Sequence, residues 1–521
     1  MPETAERRAK MEIGRRNFLF GSAAVAAFAG CSTARSGVRP LKEGEKRKVA
    51  MIGCGIQMRS ALIPQFAGKN GQCKDLRDKV EIVAVCDCDR KRREDAAKTV
   101  DKIYGTPGAC LAVADFREIL ANPEIDMVCI ATPDHWHAYI SVEAMKHGKD
   151  VYCEKPLTFS VEEARAVAEA QEKYGRVFQT GSMQRSWREF RDAVALVRGG
   201  AIGNVMFVDA NYGKGGQKLG GPSHPVRFWD DPANAAKEGA PNPDVDWDMW
   251  LGPAMRRPYS DQLAPRGVNR FYPMFWRFDD DIGSGYNGDW GAHHLDIAQW
   301  GLDADRSGPV KILCSEEPHS ADLYHGGRRQ FGMKMVFAKP YGNVELYHGP
   351  FGVWGTVFYG TDGIVAVNRG KIAVWLGTGS VKPDAAVRKA LQDMSFMPEK
   401  LVAASVGKDY GTDATQKKDN RLSATLDKIE KEFAGAIAKA AIYVSPNQVV
   451  NFVECCETRA ATVSPAETGA RSCVLCLLCN TSYKYDTGFD WDPVRMDFAN
   501  GTGRGIPLGR RGCCNGWKVE V

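Results

Sequence analysis

The residues best suited to chemistry stand in GDWGAHHLDIAQW, residues 288–300, where two histidines lie between two aspartates. An imidazole beside a carboxylate can take a proton from a hydroxyl and be steadied while it carries the charge. If the stretch is a helix, an advance of about 100° per residue sets Asp289, His293 and Asp296 on one narrow arc. Trp290, His294 and Ile297 then share another face. This spacing predicts a carboxylate beside His293, with His294 pointing into the core. A second candidate is Lys155 in CEKPLT, where Glu154, Lys155 and Pro156 follow a strand-like run. An ammonium at a strand end can hold or deprotonate an alcohol.

Those groups need a scaffold, and from residue 47 the sequence supplies one. The runs KVAMIGCG, VEIVAVCDCD, DMVCIATP, DVYCEKPLT and RVFQTGSMQ alternate with helical patterns, among them HAYISVEAMKHGK and SVEEARAVAEAQEKYG. Strands alternating with helices of 10–15 residues imply right-handed crossovers and a parallel sheet covered on both faces. The predicted fold class is α/β: a doubly wound Rossmann domain over 47–180, then a domain over 181–521. In that second part Gly, Pro, Trp and Asp dominate 211–290. Short strand-like runs after residue 300 then predict an α+β domain with a large, open, mostly antiparallel sheet.

GCGIQMR follows the first strand and opens a helix. There Gly53 allows a tight turn, Gly55 lets backbone approach a pyrophosphate at the helix N-terminus, and Met58 stands in place of the third glycine of a dinucleotide fingerprint. Asp87 ends the second strand, where a carboxylate hydrogen-bonds ribose hydroxyls and repels a 2′-phosphate. NAD is therefore expected, with NADP disfavoured. Ligands of such sheets bind outside the carboxyl ends of the strands, which aims Lys155 at the crevice.

In this order and spacing, GCGIQMR, AVCDCD, ATPDHWH, CEKPLT and GDWGAHHLD resemble the glucose-fructose oxidoreductase and inositol dehydrogenase superfamily, Gfo/Idh/MocA. The resemblance spans about residues 47–500. It implies a second domain that binds substrate and forms homo-oligomers, dimers or tetramers. It matches the family's Glu-Lys-Pro lysine to Lys155, and its Asp-x-x-x-His pair to Asp289 and His293. His293 is then expected to accept a hydroxyl proton as hydride leaves the same carbon, with Asp289 orienting the imidazole and Lys155 bonding the oxygen. Expected cofactor contacts are Gly53, Gly55, Ile56, Gln57, Met58, Arg59, Asp87, Thr132, Pro133, Asp134, His137, Glu154, Lys155 and Gln184. Expected substrate contacts are Arg185, Trp276, Tyr286, Asp289 and His293, with Trp229 and Trp250 as further aromatic faces for a sugar.

The implied activity is hydride transfer between nicotinamide and a sugar, glycoside or polyol carbinol. One alternative is a glycoside hydrolase that oxidises its sugar transiently and regenerates NAD. Another is an NAD-binding protein without catalysis. His135 and His137 could join His293 in a three-nitrogen metal site, but the family works without metal and none is expected. Cys473, Cys476 and Cys479 repeat every third residue among leucines, which predicts a buried core helix and not a cluster site.

Composition narrows the partners. The chain has 521 residues, with 69 Lys plus Arg against 64 Asp plus Glu. That balance offers no basic face for nucleic acid, and the run Arg90 to Arg93 reads as a solvated helix start. Residues 1–46 read as signal and linker. Arg15 and Arg16 precede an apolar run, Phe18 to Ala29, too short to span a bilayer and typical of twin-arginine export. FAGC, ending at Cys31, resembles a lipoprotein cleavage box. The expectation is an exported protein, periplasmic or anchored to a bacterial membrane through acylated Cys31.

Overall fold

The computed structural model describes residues 39–69, 71–211, 237–268, 275–279, 281–314, 333–349, 352–407, 420–510 and 514–521. The twin-arginine segment with Cys31, and Trp229, lie outside them.

β1 (Arg47–Ile52) is buried from Val49 onward and takes a partner on each side. It pairs in parallel with β2 (Val80–Cys86) and with β4 (Met127–Ile130). Adding β3 (Leu111–Val113), β5 (Asp150–Cys153) and β6 (Phe178–Thr180) gives a six-stranded parallel sheet of order β3-β2-β1-β4-β5-β6. Strands covered on both faces read as unbroken apolar runs, which is why VAMI, MVCI and VYC are so legible. The strand order reverses between β1 and β4, so a crevice opens at their carboxyl ends. The crossover helices are firmly bounded. Asp89 caps the helix Arg90–Tyr104 by accepting from the amides of Lys91 and Arg92, and Gly105 ends it at φ +71°. Ser160 and Gly175 bound the helix Val161–Tyr174 in the same way.

The second sheet has ten strands. They are β7 (Val205–Ala210), β8 (Lys311–Leu313), β9 (Met333–Lys339), β10 (Gly342–His348), β11 (Thr356–Gly360), β12 (Gly363–Asn368), β13 (Lys371–Leu376), β14 (Leu401–Val406), β15 (Phe489–Asp492) and β16 (Asp497–Phe498). Their order is β14-β13-β12-β11-β7-β10-β9-β8-β15-β16, antiparallel throughout except for the parallel β7–β10 pair. The fold class is thus the one expected: a Rossmann sheet followed by a large, mostly antiparallel one.

Two stretches knit the sheets together. The helix Ala292–Gly301 lies over β7 and β11 and also meets the helix Ala466–Tyr485, which packs in turn on Val161–Tyr174. Cys473, Cys476 and Cys479 are buried in that long helix, as expected for a core element. The helix Gln448–Thr458 returns to the first domain, where Phe452 meets Phe66 and Tyr152 edge-on at 6.2 and 5.9 Å. Among the described residues no helix is long and apolar enough to cross a membrane.

Candidate active site

The crevice is a cavity of about 460 Å³ lined from both domains, within the usual range for small-molecule sites. Its floor begins at the turn after β1. Gly53 has φ +87°, and a Cβ there would lie 2.6 Å from the amide nitrogen of Thr132, so glycine is required twice over. Gly55 faces open space, leaving its backbone approachable, and Ile56, Gln57 and Arg59 join the lining. Met58 does not. It is fully buried in the same core cluster as Met51 and Val85, at the start of the π-helical turn Met58–Leu62.

Asp87 stands beside this turn. Its Oδ2 accepts from the amide of Cys54 at 2.7 Å and its Oδ1 from the amide of Asp89 at 2.8 Å, which fixes the carboxylate in the wall next to Cys88 and Arg92. The open Gly55, the placed Asp87 and the cavity between them fit a dinucleotide. Gly55 to Arg59 would face its phosphates and Asp87 its ribose.

The ends of β4 and β5 form the next part of the wall. Thr132, Pro133, Asp134, His137 and Glu154 all line it. His137 has one ring nitrogen 2.8 Å from the carbonyl of Pro156 and the other 2.9 Å from that of Thr132, tying the two strand ends together. His135 is turned away, with Nε2 3.0 Å from the carbonyl of Trp250. Both are engaged with backbone, and no trio of His, Cys, Asp or Glu among the described residues is placed to hold a metal. Gln57 donates to Glu154 at 3.2 Å, linking the glycine turn to β5.

Lys155, next along, reaches across the domain boundary. Its Nζ donates to Asp289 Oδ1 at 2.7 Å and to the Asp289 carbonyl at 2.9 Å. Arg277 approaches the other carboxylate oxygen at 3.6 Å. Burial alone would raise the Asp289 carboxyl, but these two cations outweigh it and hold it at about 2. His293 lines the cavity from the same segment. Burial, reinforced by the Arg369 guanidinium and the Lys155 ammonium, pushes it well below the ordinary imidazole value, so the ring is neutral and able to accept a proton.

The expected Asp289–His293 pairing is corrected by this geometry. The Asp289 carboxylate is taken by Lys155 and Arg277, and His293 Nδ1 has no hydrogen-bond partner. The reason is local. Residues Asn287–Gly291 wind as a π-helix and only Ala292–Gly301 as an α-helix, so a spacing of four does not bring the two side chains together. Asp296, three residues beyond His293 in the same helix, does not serve it either. It is buried against Arg185, which it binds through both oxygens.

Three further expectations are corrected. Arg185 is 1% exposed, bound to Asp296 and Asp305 and stacked over Trp300, so it does not reach the crevice. Gln184 is also behind the wall: its amide donates to the His293 carbonyl at 3.2 Å and accepts from Arg369 Nε at 2.9 Å. Tyr286 is buried in the core and is not part of the lining. Trp276 and Trp250 do line the cavity. Sequence reasoning missed Arg277, Trp290 and Arg369. Arg369 sits in the β12–β13 turn, its guanidinium 4.7 Å from the Trp290 ring centre and 5.4 Å from that of Trp187. The dipeptide Arg-Gly between strands signalled a turn but not the direction it faces.

Comparison with known proteins agrees with this architecture. Residues 47–182 match the family model described as oxidoreductase family, NAD-binding Rossmann fold, and residues 225–334 match its C-terminal α/β domain. An inositol 2-dehydrogenase of Mycolicibacterium vanbaalenii is 34% identical over 114 residues, 22% of this chain and 33% of the relative. A glycosyl hydrolase family 109 protein of Shewanella baltica is 29% identical over 220 residues, 38% of this chain and 46% of the relative. The chain therefore spans less than half the length of these curated relatives. An NAD binding oxidoreductase from Klebsiella pneumoniae has the same fold, with TM-score 0.50 and 17% identity over 85% of this chain and 98% of that one.

Proposed function

Because the chain belongs to the Gfo/Idh/MocA family of oxidoreductases, we propose that it is an NAD-dependent enzyme acting on the carbinol of a sugar, glycoside or polyol. The observation that carries this reading is the meeting, in one cavity, of Lys155 from the first domain and His293 from the second, beside the Gly53 turn and Asp87. Bound NAD would supply the hydride acceptor.

The protein's own groups have separable tasks. Neutral His293 accepts the hydroxyl proton. Lys155, pinned at two points by Asp289, donates to the same oxygen. Asp289 thus positions the lysine, not the imidazole. Trp276 and Trp290 offer ring faces to sugar C–H groups. Acid–base groups so placed contribute about 10²- to 10⁴-fold. Asp87 favours NAD over NADP by repelling a 2′-phosphate.

A second reading is a hydrolase in which NAD is regenerated within each turnover. It is favoured by the relative from Shewanella baltica, whose name places it in glycosyl hydrolase family 109. One experiment separates the two. The purified protein is offered sugars, polyols and nitrophenyl glycosides with and without NAD. Net NADH formation identifies a dehydrogenase, aglycone release without it identifies the hydrolase, and neither outcome with nucleotide bound returns the reading to a non-catalytic binder.

Arg15, Arg16 and the run Phe18 to Ala29 support export by the twin-arginine route, with Cys31 as a site for acylation. Replacing both arginines by lysine should leave the protein in the cytoplasm on fractionation. Homo-oligomerisation is part of the same reading, and light scattering measures it.

A further inference from the structure

The stretch 237–268 lies well beyond the first domain in the chain, yet it lies over that domain's crevice. Its Met249, Trp250 and Leu263 line the cavity together with Asp87, Cys88, Arg92, Ala114 and Phe116, at the ends of β2 and β3. That end is where a ribose would meet Asp87, and so the adenosine half of a bound dinucleotide. The stretch has a small core of its own. Trp247 stacks on Trp250 with ring centres 4.8 Å apart, and Tyr259, Leu263 and Ile282 pack around them.

Its two rims are fastened by different chemistry. On the inner rim Trp136 Nε1 donates to the Met249 carbonyl at 3.1 Å and His135 Nε2 to that of Trp250 at 3.0 Å. Gly252 lies so close to the Trp136 ring that a Cβ would overlap it, and Asn515 donates to the carbonyls of Gly252 and Ala254. These ties are uncharged hydrogen bonds and ring packing, partly or wholly buried.

The outer rim is ionic and meets solvent. Asp244 forms ion pairs with Arg90 and with Lys91, the latter at 2.7 Å, and both basic side chains are about half exposed (49% and 51%). A two-residue ribbon backs them: Asp89 bridges Val245, the Arg90 amide donates to the Asp244 carbonyl at 2.7 Å, and the Asp246 amide donates to the Cys88 carbonyl at 3.2 Å. Arg92 adds a bond to the Pro265 carbonyl at 2.7 Å. Apolar stacking holds one edge against screening, while exposed ion pairs weaken in salt.

We propose that residues 237–268 are a cover over the adenosine half of the crevice, hinged at Trp136 and clasped by Asp244 to Arg90 and Lys91, so that the dinucleotide exchanges only when the clasp opens. This rests on the NAD-binding part of the proposed function but not on its chemistry. A nucleotide held this way behaves as a resident group, and reactions that leave it unchanged overall suit such a site best.

The test is nucleotide exchange in the full-length holoprotein, followed by chasing bound NAD with a fluorescent etheno-NAD. The native protein should retain nucleotide through gel filtration and exchange it over hours, faster as salt is raised. Asp244→Lys, which turns both attractions into repulsions, should speed exchange by about tenfold or more. Adding Arg90→Glu and Lys91→Glu to that variant should restore slow exchange, which a merely destabilised fold would not do. Loss of nucleotide during gel filtration of the native protein would overturn the proposal. So would exchange that ignores salt, or an Asp244→Lys rate equal to the native one. If no nucleotide binds to any form, the NAD reading itself falls, and the cover with it.

Discussion

Two cations reach from strand ends of the first domain to carboxylates in the segment 287–301, and only one of the pairs is built for chemistry. Lys155 follows β5 and meets Asp289, while Arg185 follows β6 and meets Asp296. Both members of the Arg185 pair are 1% exposed, and Asp305, Ser472 and the Trp300 ring complete their surroundings. All three guanidinium nitrogens and both carboxylate oxygens are engaged, so the pair acts as a rivet between the turn after β6 and the helix Ala292–Gly301. The Lys155 pair instead opens onto the cavity, next to the neutral His293. An ion pair thus serves chemistry where the wall leaves room for a substrate oxygen, and serves cohesion where it does not.

Mutations should split the two pairs in opposite senses. Lys155→Ala is expected to lower turnover by about 10²- to 10⁴-fold while nucleotide retention changes little, with stability reduced only by loss of the Asp289 pairing, about 2 kcal/mol or less. Arg185→Ala should do the reverse. Stranding Asp296 in the core should cost about 3–5 kcal/mol in urea denaturation, with the activity of the remaining folded protein less affected. Replacing both Arg185 and Asp296 by apolar residues should recover most of that loss.

Acid gives a second contrast, between the buried histidines and Asp289. His135, His294 and His348 are held at about 3 by burial, and His293 is also pushed well below its ordinary value. Such groups are neutral in the fold but bind protons in the unfolded chain. Their contribution is therefore intact above about pH 6.5, and each loses about 1.4 kcal/mol per unit as pH falls below it. Asp289 works lower: its folded value of about 2 lies below the unfolded 3.8, so it contributes above about pH 4, by about 2 kcal/mol, and loses that as pH falls through about 2. Denaturant titration against pH should show the histidine slope first, and Asp289→Asn should remove only the lower component.

The smallest expected effect concerns Arg369, whose charge helps keep His293 neutral. Arg369→Gln should raise the proton affinity of His293 and move the acid limb of kcat/KM to higher pH. An unmoved limb would mean that His293 is not the titrating base.

The first-domain wall was legible because each feature has a local cause. Strand ends after continuous apolar runs locate Asp87 and Lys155, and a glycine at positive φ marks the turn at Gly53. The second-domain wall was not. Arg277 and Arg369 enter it through contacts remote in sequence, and nothing in their neighbours distinguishes them from surface arginines. Asp289, His293 and Asp296 show the limit of spacing arguments: a π-helical turn separates Asp289 from His293, and Arg185, remote in sequence, takes Asp296. Arg185 and Gln184 were placed in the right neighbourhood but on the wrong side of the wall, because burial depth leaves no mark on a three-residue motif.

The most direct test is transfer of label. The holoprotein is incubated with sugars deuterated at successive carbinol carbons, and the recovered dinucleotide is examined by mass spectrometry. Deuterium in the nicotinamide from one labelled position, absent with His293→Ala and with Lys155→Ala, is the expected result. Turnover of the sugar with no label ever reaching the nicotinamide, or equal labelling in both variants, would contradict it.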